Sequence, residues 1–249
     1  MDLHKEKVNN AIYDLYGDRW YEADDDPVAL LRAESKVKTP WIIKKIALHN
    51  LLKSETKVLD VGCGAGFLSN ELAKEKLQVT GVDLSSESLA VAAKYDSTKS
   101  VTYQTADAYS LPFADQSFDV VTALDFLEHV ERPADVIKEF SRVLKPNGLF
   151  IFHTFNRNIL AYLVIIKLVE WLVKNTPENM HVLHLFIKPE ELKKYCRLCG
   201  LQTQQITGIK PVFSSVPLKN IFSGVVPKTL RFELTKSLAL SYMGYAVKQ

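Results

Sequence analysis

The sequence predicts an α/β domain built on a parallel β-sheet that is covered by helices on both faces. From Thr56 onward, short β-rich runs alternate with amphipathic helical segments. The β-rich runs are continuously apolar, as expected for strands buried on both faces of a sheet. The 249 residues, 47% hydrophobic and 24% charged, suffice for one large globular domain.

The elements can be placed in chain order. Residues 1–55 are expected to form an N-terminal helical cap, whose second helix opens at Thr39-Pro40 with Thr as N-cap and Pro in the first turn. Residues 56–249 are expected to form the sheet domain. Its predicted elements are KVLDVG, a helix over 67–76, QVTGVD, a helix over 86–95, VTYQTAD, FDVVTALD, a helix over 133–144, LFIFHTF, a helix from Pro189 to Gly200, LQTQQITG, a long loop and a last strand within 237–248.

An insertion over 157–188 interrupts the alternation after the fifth strand. Residues 159–173 are almost wholly apolar, and Lys167, Glu170 and Lys174 lie on one narrow stripe of the expected helix. Such a helix is either packed in a core or dimer interface, or is a lid that dips into a membrane surface and admits a lipophilic substrate.

Composition narrows the class of protein. The 31 basic and 29 acidic residues give a net charge of +2, which does not favour a nucleic-acid binder. Three cysteines favour a reducing compartment, and MDLHKEKVNN lacks the apolar core of a signal peptide. We therefore expect a cytoplasmic protein, with peripheral contact to the inner face of the membrane as an option. The oligomeric state stays open.

A glycine-rich turn follows the first predicted strand. Gly62, Gly64 and Gly66 would let a ligand lie against the backbone. The turn lacks the Lys-Ser/Thr ending of a phosphate loop and the spacing of a dinucleotide fingerprint. It favours a ligand without a pyrophosphate, such as S-adenosylmethionine, whose ammonium group Asp60 could face. A turn kept only for packing is the alternative.

Two carboxylates follow the next strands. Asp83 ends the second strand, where a carboxylate can accept two hydrogen bonds from a ribose diol. Asp107 and Ala108 follow the third strand. Together with the glycine turn, they predict a nucleoside-containing cofactor at this edge of the sheet.

Several motifs resemble those of a known family. VLDVGCGAG, TGVDLS, LPFADQSFDVV, LEHVERP and RVLKPNG resemble the class I S-adenosylmethionine-dependent methyltransferases over about residues 56–156. HTFNRN, Met180-His181, FIKPEEL and the N-terminal Arg19-Trp20-Tyr21 are similar to the bacterial ubiquinone-biosynthesis O-methyltransferases, of the 3-demethylubiquinol 3-O-methyltransferase type. The resemblance implies a Rossmann-like, seven-stranded, mostly parallel sheet with an antiparallel last strand. It also implies methylation of a phenolic hydroxyl on a prenylated quinone precursor.

The resemblance also implies site residues. Asp125, Glu128 and His129 match a Glu-x-x-Glu-His cluster thought to bind Mg²⁺ in some relatives, with Asp in place of the first Glu; a purely structural turn is the alternative. The residues expected to bind the cofactor are Asp60, Gly62, Cys63, Gly64, Asp83, Leu84, Asp107, Ala108 and Leu124.

Two histidines are candidate general bases, because methyl transfer to a phenol requires its deprotonation. His181 stands where the relatives have His followed by Asp, but Val182 replaces that Asp here. His153 ends the fifth strand, which should open toward the acceptor pocket. Either histidine could instead be a packed side chain.

Other functions remain open. The Asn-Pro-Leu-Arg-like segment of the relatives is missing, although Arg32 or Lys38 could replace its arginine. The chain could therefore methylate another small hydrophobic acceptor, or be a non-catalytic cofactor-binding protein that docks on membranes. Cys196 and Cys199 are expected to be packing thiols rather than zinc ligands.

Overall fold

A computed structural model describes residues 7–249, apart from the side chain of Lys219. Its centre is a sheet of eight strands in the order β3-β2-β1-β4-β5-β8-β6-β7. The strands are β1 (Lys57–Val61), β2 (Gln78–Asp83), β3 (Thr102–Thr105), β4 (Phe118–Leu124), β5 (Leu144–Phe155), β6 (Leu201–Val212), β7 (Arg231–Thr235) and β8 (Ser241–Lys248). The helices are α1 (Arg19–Glu22), α2 (Val28–Leu48), α3 (Phe67–Lys74), α4 (Ser86–Tyr95), α5 (Pro133–Val143), α6 (Ile159–Ala161), α7 (Leu168–Leu172) and α8 (Pro189–Leu198).

The first five strands are parallel, as the alternation of apolar runs and helices predicted. Strand β8 lies antiparallel between β5 and β6. The predicted number of seven strands is one too few, because β7 pairs antiparallel with the outer edge of β6. β7 lies in a segment that was expected to be loop. It is short and mostly exposed, so its extended form depends on the pairing with β6 rather than on its own pattern.

Apolar clusters cover both faces of the sheet. On one face, Leu59 and Val121 pack with Phe140 of α5. On the other face, Val58 and Val120 pack with side chains of α2 and α3. Neighbouring residues of one strand thus serve opposite faces, because strand side chains alternate in direction. This arrangement confirms the predicted sheet with helices on both faces.

Helix α2 runs without a break through Pro40, so the prediction of a helix start at Thr39-Pro40 was wrong. Buried residues on both sides of the proline, including Ala33 and Ile46, anchor the helix to the rest of the fold. Pro40 has no N–H to donate to the carbonyl of Lys36. Both residues lie on the exposed side of the helix, where water can hydrate that carbonyl. Tertiary packing therefore outweighs the cost of an internal proline, about 3 kcal/mol.

The insertion after β5 forms one helical rod over 159–172, in which a π-helical turn, Tyr162–Lys167, joins α6 to α7. Ala161 and Ile166 pack against Phe155 and Phe186. No helix among residues 7–249 is both long and apolar enough to cross a bilayer.

Candidate active site

The glycine turn at the end of β1 has the conformation that its glycines allow. Gly62, Gly64 and Gly66 all have positive φ, at 67°, 50° and 77°. A Cβ on Gly66 would overlap the Tyr103 hydroxyl and lie 2.9 Å from the Cβ of Ala92. The turn therefore requires glycine for its backbone conformation and for its close packing against β3 and α4.

Two carboxylates flank this turn. The Asp60 carboxylate accepts hydrogen bonds from Ser69 Oγ and Thr122 Oγ1, both at 2.6 Å, and burial raises its pKa to about 6. Asp83 accepts the Gly64 N–H at 2.9 Å and the Ser85 N–H at 3.0 Å, and burial also raises its pKa. Backbone donors thus fix the Asp83 carboxylate at the edge of the sheet.

A cavity of about 720 Å³ opens at the carboxyl ends of the parallel strands. Its volume is typical of small-molecule sites. It also reaches Asp125, His129 and His181, whereas Glu128 and His153 do not line it. All nine residues predicted to bind the cofactor line this cavity: Asp60, Gly62, Cys63, Gly64, Asp83, Leu84, Asp107, Ala108 and Leu124.

The N-terminal segment covers this cavity, and sequence reasoning missed its role. Asn10, Tyr13 and Trp20 line the wall, and the Trp20 ring lies 3.3 Å from the point where a Gly64 Cβ would stand. Trp20 stacks on Tyr13 with ring centroids 5.7 Å apart. The Arg19-Trp20-Tyr21 motif was the signal that could have suggested this contact.

The predicted lid helix lies elsewhere. Among the residues described, none within 159–173 lines the cavity, although Met180 and His181 of the same insertion do. Val173 packs instead with Val226 and Leu230 in the segment before β7. The helix therefore sits beside the cavity rather than over it, with Ala161 and Ile166 packed on Phe155 of β5.

Two imidazoles form one end of the cavity. The rings of His129 and His181 are 5.2 Å apart. His129 contacts Tyr13 Oη at 3.3 Å through Nε2 and Asn10 Oδ1 at 3.1 Å through Nδ1. Burial lowers the pKa of His129 to about 4, and burial together with the nearby His129 lowers that of His181 to about 3. Both rings are therefore neutral near pH 7, and the ring nitrogen without a proton can accept a hydrogen bond from a hydroxyl.

His153 is fully buried and turned away from the cavity, so the structure does not support it as a base that contacts an acceptor. Its Nδ1 lies 2.6 Å from Asp125 Oδ1 and 3.3 Å from Lys38 Nζ. Asp125 also pairs with Lys38 at 2.5 Å. Among the residues described, none of β5 lines the cavity.

The predicted metal ligands Asp125, Glu128 and His129 do not converge on one point. Asp125 groups with Glu34 and His153, while Glu128 and His129 group with His181. Glu128 accepts a hydrogen bond from Thr154 Oγ1 at 2.7 Å, and burial raises its pKa to about 8, so it is largely protonated near pH 7. Two imidazoles and a single carboxyl do not provide the set of oxygen ligands that Mg²⁺ prefers. The residues present therefore do not fit the predicted Mg²⁺ set.

The fold, the glycine turn and the acidic strand end define the class of protein: a class I S-adenosylmethionine-dependent methyltransferase. Residues 59–152 match the model of the methyltransferase domain family. Solved structures with the same fold include a SAM-dependent methyltransferase of Methanosarcina mazei (24% identity, TM-score 0.57, 81% of this chain and 96% of that chain). Another is the magnesium protoporphyrin IX methyltransferase of Synechocystis with bound SAH (18% identity, TM-score 0.60, 98% of this chain and 90% of that chain).

Relatives at higher identity define the family more narrowly. The chain is 36% identical to the ubiquinone biosynthesis O-methyltransferase of Pseudomonas entomophila, over 80% of this chain and 84% of the relative. It is 35% identical to that of Aromatoleum aromaticum, over 90% of this chain and 92% of the relative. The chain belongs to the family of ubiquinone biosynthesis O-methyltransferases. The expected family, enzyme class and cofactor are thereby confirmed, whereas the contact of each wall residue with the cofactor stays a prediction.

Proposed function

We propose that this methyltransferase acts in ubiquinone biosynthesis and methylates a phenolic hydroxyl of a prenylated quinone precursor. One observation carries the proposal: the wall predicted to bind the cofactor continues, within one cavity, into an end that holds two neutral imidazoles. A phenol needs such a base, because the hydroxyl must lose its proton as the methyl group is transferred. The names of the relatives support the choice of substrate class.

Different residues of the cavity would bind different parts of the cofactor and the acceptor. When bound, S-adenosylmethionine supplies an electrophilic methyl group on a sulfonium. Asp60 and the glycine turn would orient the amino-acid end of the cofactor, and Asp83 would hold the ribose. In-line transfer then requires the acceptor oxygen to stand beyond the methyl group, toward His129 and His181.

His181 is the better placed base of the two. His129 is held at both ring nitrogens by Asn10 and Tyr13. Within residues 7–249, the His181 ring makes no hydrogen bond, so its nitrogens are available to a substrate hydroxyl. We propose that His181 accepts the proton of the substrate hydroxyl. His129 shapes the end of the cavity that binds the methyl acceptor.

The test is turnover with labelled cofactor on a panel of prenylated catechols, short catechols and carboxylates. We expect His181→Asn to lower kcat on a catechol by about 10² to 10⁴, the usual contribution of a general base. His184→Asn is the matched control, because His184 lies on the exposed surface of the same insertion. Methylation of carboxylates alone, or full activity of the His181 variant, would contradict the proposal.

A lipophilic substrate also suggests peripheral contact with a membrane. Ile159 and Trp171 of the helical rod are 76% and 73% exposed. The segment before β7 lies beside the rod, joined by a hydrogen bond from Lys174 N to Gly224 O, and exposes Phe222 at 89%. We call these exposed apolar residues the apolar face: Ile159, Leu160, Leu163, Trp171, Phe213, Leu218 and Phe222.

This apolar face is proposed to rest on an anionic bilayer. Lys174 follows the rod and is exposed, which would add weak attraction to anionic headgroups, whereas Lys167 pairs with Glu170 at 2.7 Å. Trp171→Ser combined with Phe222→Ser should reduce sedimentation with anionic liposomes. Leu198→Ser, at a residue 72% exposed on α8, is the control and should not. Equal sedimentation of the wild type and the double variant would contradict membrane contact at this face.

A further inference from the structure

A buried lysine lies among ligand-type side chains next to the cavity. Lys38 of α2 is 2% exposed, and its Nζ lies 2.5 Å from Glu34 Oε2, 2.5 Å from Asp125 Oδ2 and 3.3 Å from His153 Nδ1. Glu34, Asp125 and His153 offer ligand atoms that all lie within 4.8 Å of one another. Such an arrangement could surround a metal ion, but here the ammonium group of Lys38 occupies its centre.

The charges of this cluster show why the lysine stays there. Burial alone would lower the pKa of Lys38, but the Asp125 and Glu34 carboxylates outweigh burial and raise it. Burial opposes ionisation of Asp125 as well, yet Lys38 and His153 hold its pKa well below the usual range. The Lys38 ammonium and the Asp125 carboxylate are therefore charged together, and removal of the ammonium would leave the buried Asp125 carboxylate without its cation.

Lys38 also contacts Asp125, which lines the cavity. Asp125 follows Leu124 at the end of β4, lines the cavity and has a φ of 51°, a conformation that is uncommon outside glycine but that Asp adopts more often than most residues. Its side chain is fixed by Lys38 at one carboxylate oxygen and by His153 at the other, and its backbone N–H donates to His153 O. The link between Lys38 and Asp125 joins α2 to the central sheet.

We propose that Lys38 is a positioning residue that serves as the resident cation of this cluster, so that Asp125 is held in the cavity wall, and methyl transfer proceeds, without a divalent metal ion. The ammonium and a metal ion would need the same position, which excludes a metal at Asp125 while Lys38 is present. The consequence for activity rests on the proposed function. The consequence for metal binding does not.

The metal-binding test uses Mn²⁺, followed by the electron paramagnetic resonance signal of the free ion. In the wild-type background, Asp125→Asn should leave Mn²⁺ binding unchanged. Lys38→Met should gain one Mn²⁺ site, and that site should disappear in the Lys38→Met/Asp125→Asn double variant. Lys36→Met is the matched control, because Lys36 is exposed on the same helix, and it should gain no site.

The activity test compares chelator with added Mg²⁺ or Mn²⁺. The wild type should keep its full rate in chelator. Lys38→Met should lose at least about tenfold in kcat/KM and regain part of it with a divalent ion, because that ion replaces the lost buried cation. A lysine that only stabilised the fold would give a loss that no cation restores.

Several outcomes would overturn the proposal. These are loss of wild-type activity in chelator, a change in wild-type Mn²⁺ binding on Asp125→Asn, or a Lys38→Met variant that neither binds Mn²⁺ nor responds to it. If Lys38→Met does not fold, the wild-type measurements in chelator and the Asp125→Asn titration still decide. If no phenol is methylated but Lys38→Met gains the Asp125-dependent Mn²⁺ site, the proposed function fails while the assignment of Lys38 as resident cation stands.

Discussion

Asp83→Asn should remove most of the affinity for S-adenosylmethionine while the fold stays intact. In the free protein, one carboxylate oxygen of Asp83 accepts the Gly64 N–H and the other accepts the Ser85 N–H. Each oxygen keeps a lone pair toward the cavity, where a ribose diol can donate two hydrogen bonds. In the variant, an NH₂ group replaces one oxygen. That group accepts nothing and faces a backbone N–H.

The size of the effect follows from these contacts. A hydrogen bond to a charged acceptor contributes about 1.5–3 kcal/mol and one to a neutral acceptor about 0.5–1.5 kcal/mol, so the variant, which loses one bond to the ribose and weakens the other, should lose roughly 2.5–4.5 kcal/mol. At about 1.4 kcal/mol for each factor of ten, the dissociation constant should rise about 60- to 1,600-fold. Isothermal titration calorimetry measures this change directly, and thermal unfolding of the free protein shows whether the fold has survived.

Asp119→Asn serves as the control. Asp119 lies near the amino end of β4, whereas Asp83 lies at the carboxyl end of β2. The Asp119 carboxylate accepts the Lys57 N–H at 2.9 Å and pairs with Lys145 at 2.7 Å. Its substitution should cost about 1 kcal/mol of stability and leave cofactor affinity within about twofold. A dissociation constant for Asp83→Asn within about threefold of the wild type would refute the assignment of the ribose to Asp83.

Two further substitutions test the same edge of the sheet. Asp60→Asn should stabilise the free protein, because burial raises the folded pKa of this carboxyl from 3.8 to about 6 and its ionisation therefore costs stability as the pH rises through that window. The gain in the free energy of unfolding should be absent near pH 4 and reach at most about 3 kcal/mol above pH 6. Cofactor affinity should fall at the same time. An unfolding temperature of the variant equal to that of the wild type at pH 7 would contradict this prediction. Gly66→Ala should cost about 1–3 kcal/mol and weaken cofactor binding, because it adds overlap with Tyr103 to an unfavourable φ of 77°. Gly200→Ala isolates the backbone effect, since its φ is 72° and nothing lies within 4 Å of its Cβ position; equal unfolding temperatures for the two variants would show that the overlap does not matter.

The cofactor edge was predictable because its determinants are local. Glycines at positive φ, a carboxylate at a strand end and continuous apolar strands each act within a few residues, so their pattern is visible along the chain. All nine residues predicted for the cofactor accordingly line one cavity. The number of strands was harder to predict, because β7 has no strong pattern of apolar residues and depends on its pairing with β6.

The surroundings of Asp125 could not be predicted, because they depend on contacts between distant parts of the chain. Lys38 meets Asp125 across 87 positions and His153 across 115, and no spacing rule connects them. The same contacts turn His153 inward and separate Asp125 from Glu128, which the motif alone had grouped together.

The sequence by itself determined the sheet, the cofactor turn and the family, because these depend on local backbone conformation and on the periodicity of apolar residues. Only the tertiary structure decided which imidazoles line the cavity, which side chains pair with Asp125 and which segment covers the site. Those features depend on burial and on charge pairing between residues far apart in the chain. Burial keeps the His181 imidazole neutral near pH 7, and the nearby carboxylates of Asp125 and Glu34 raise the pKa of the buried Lys38.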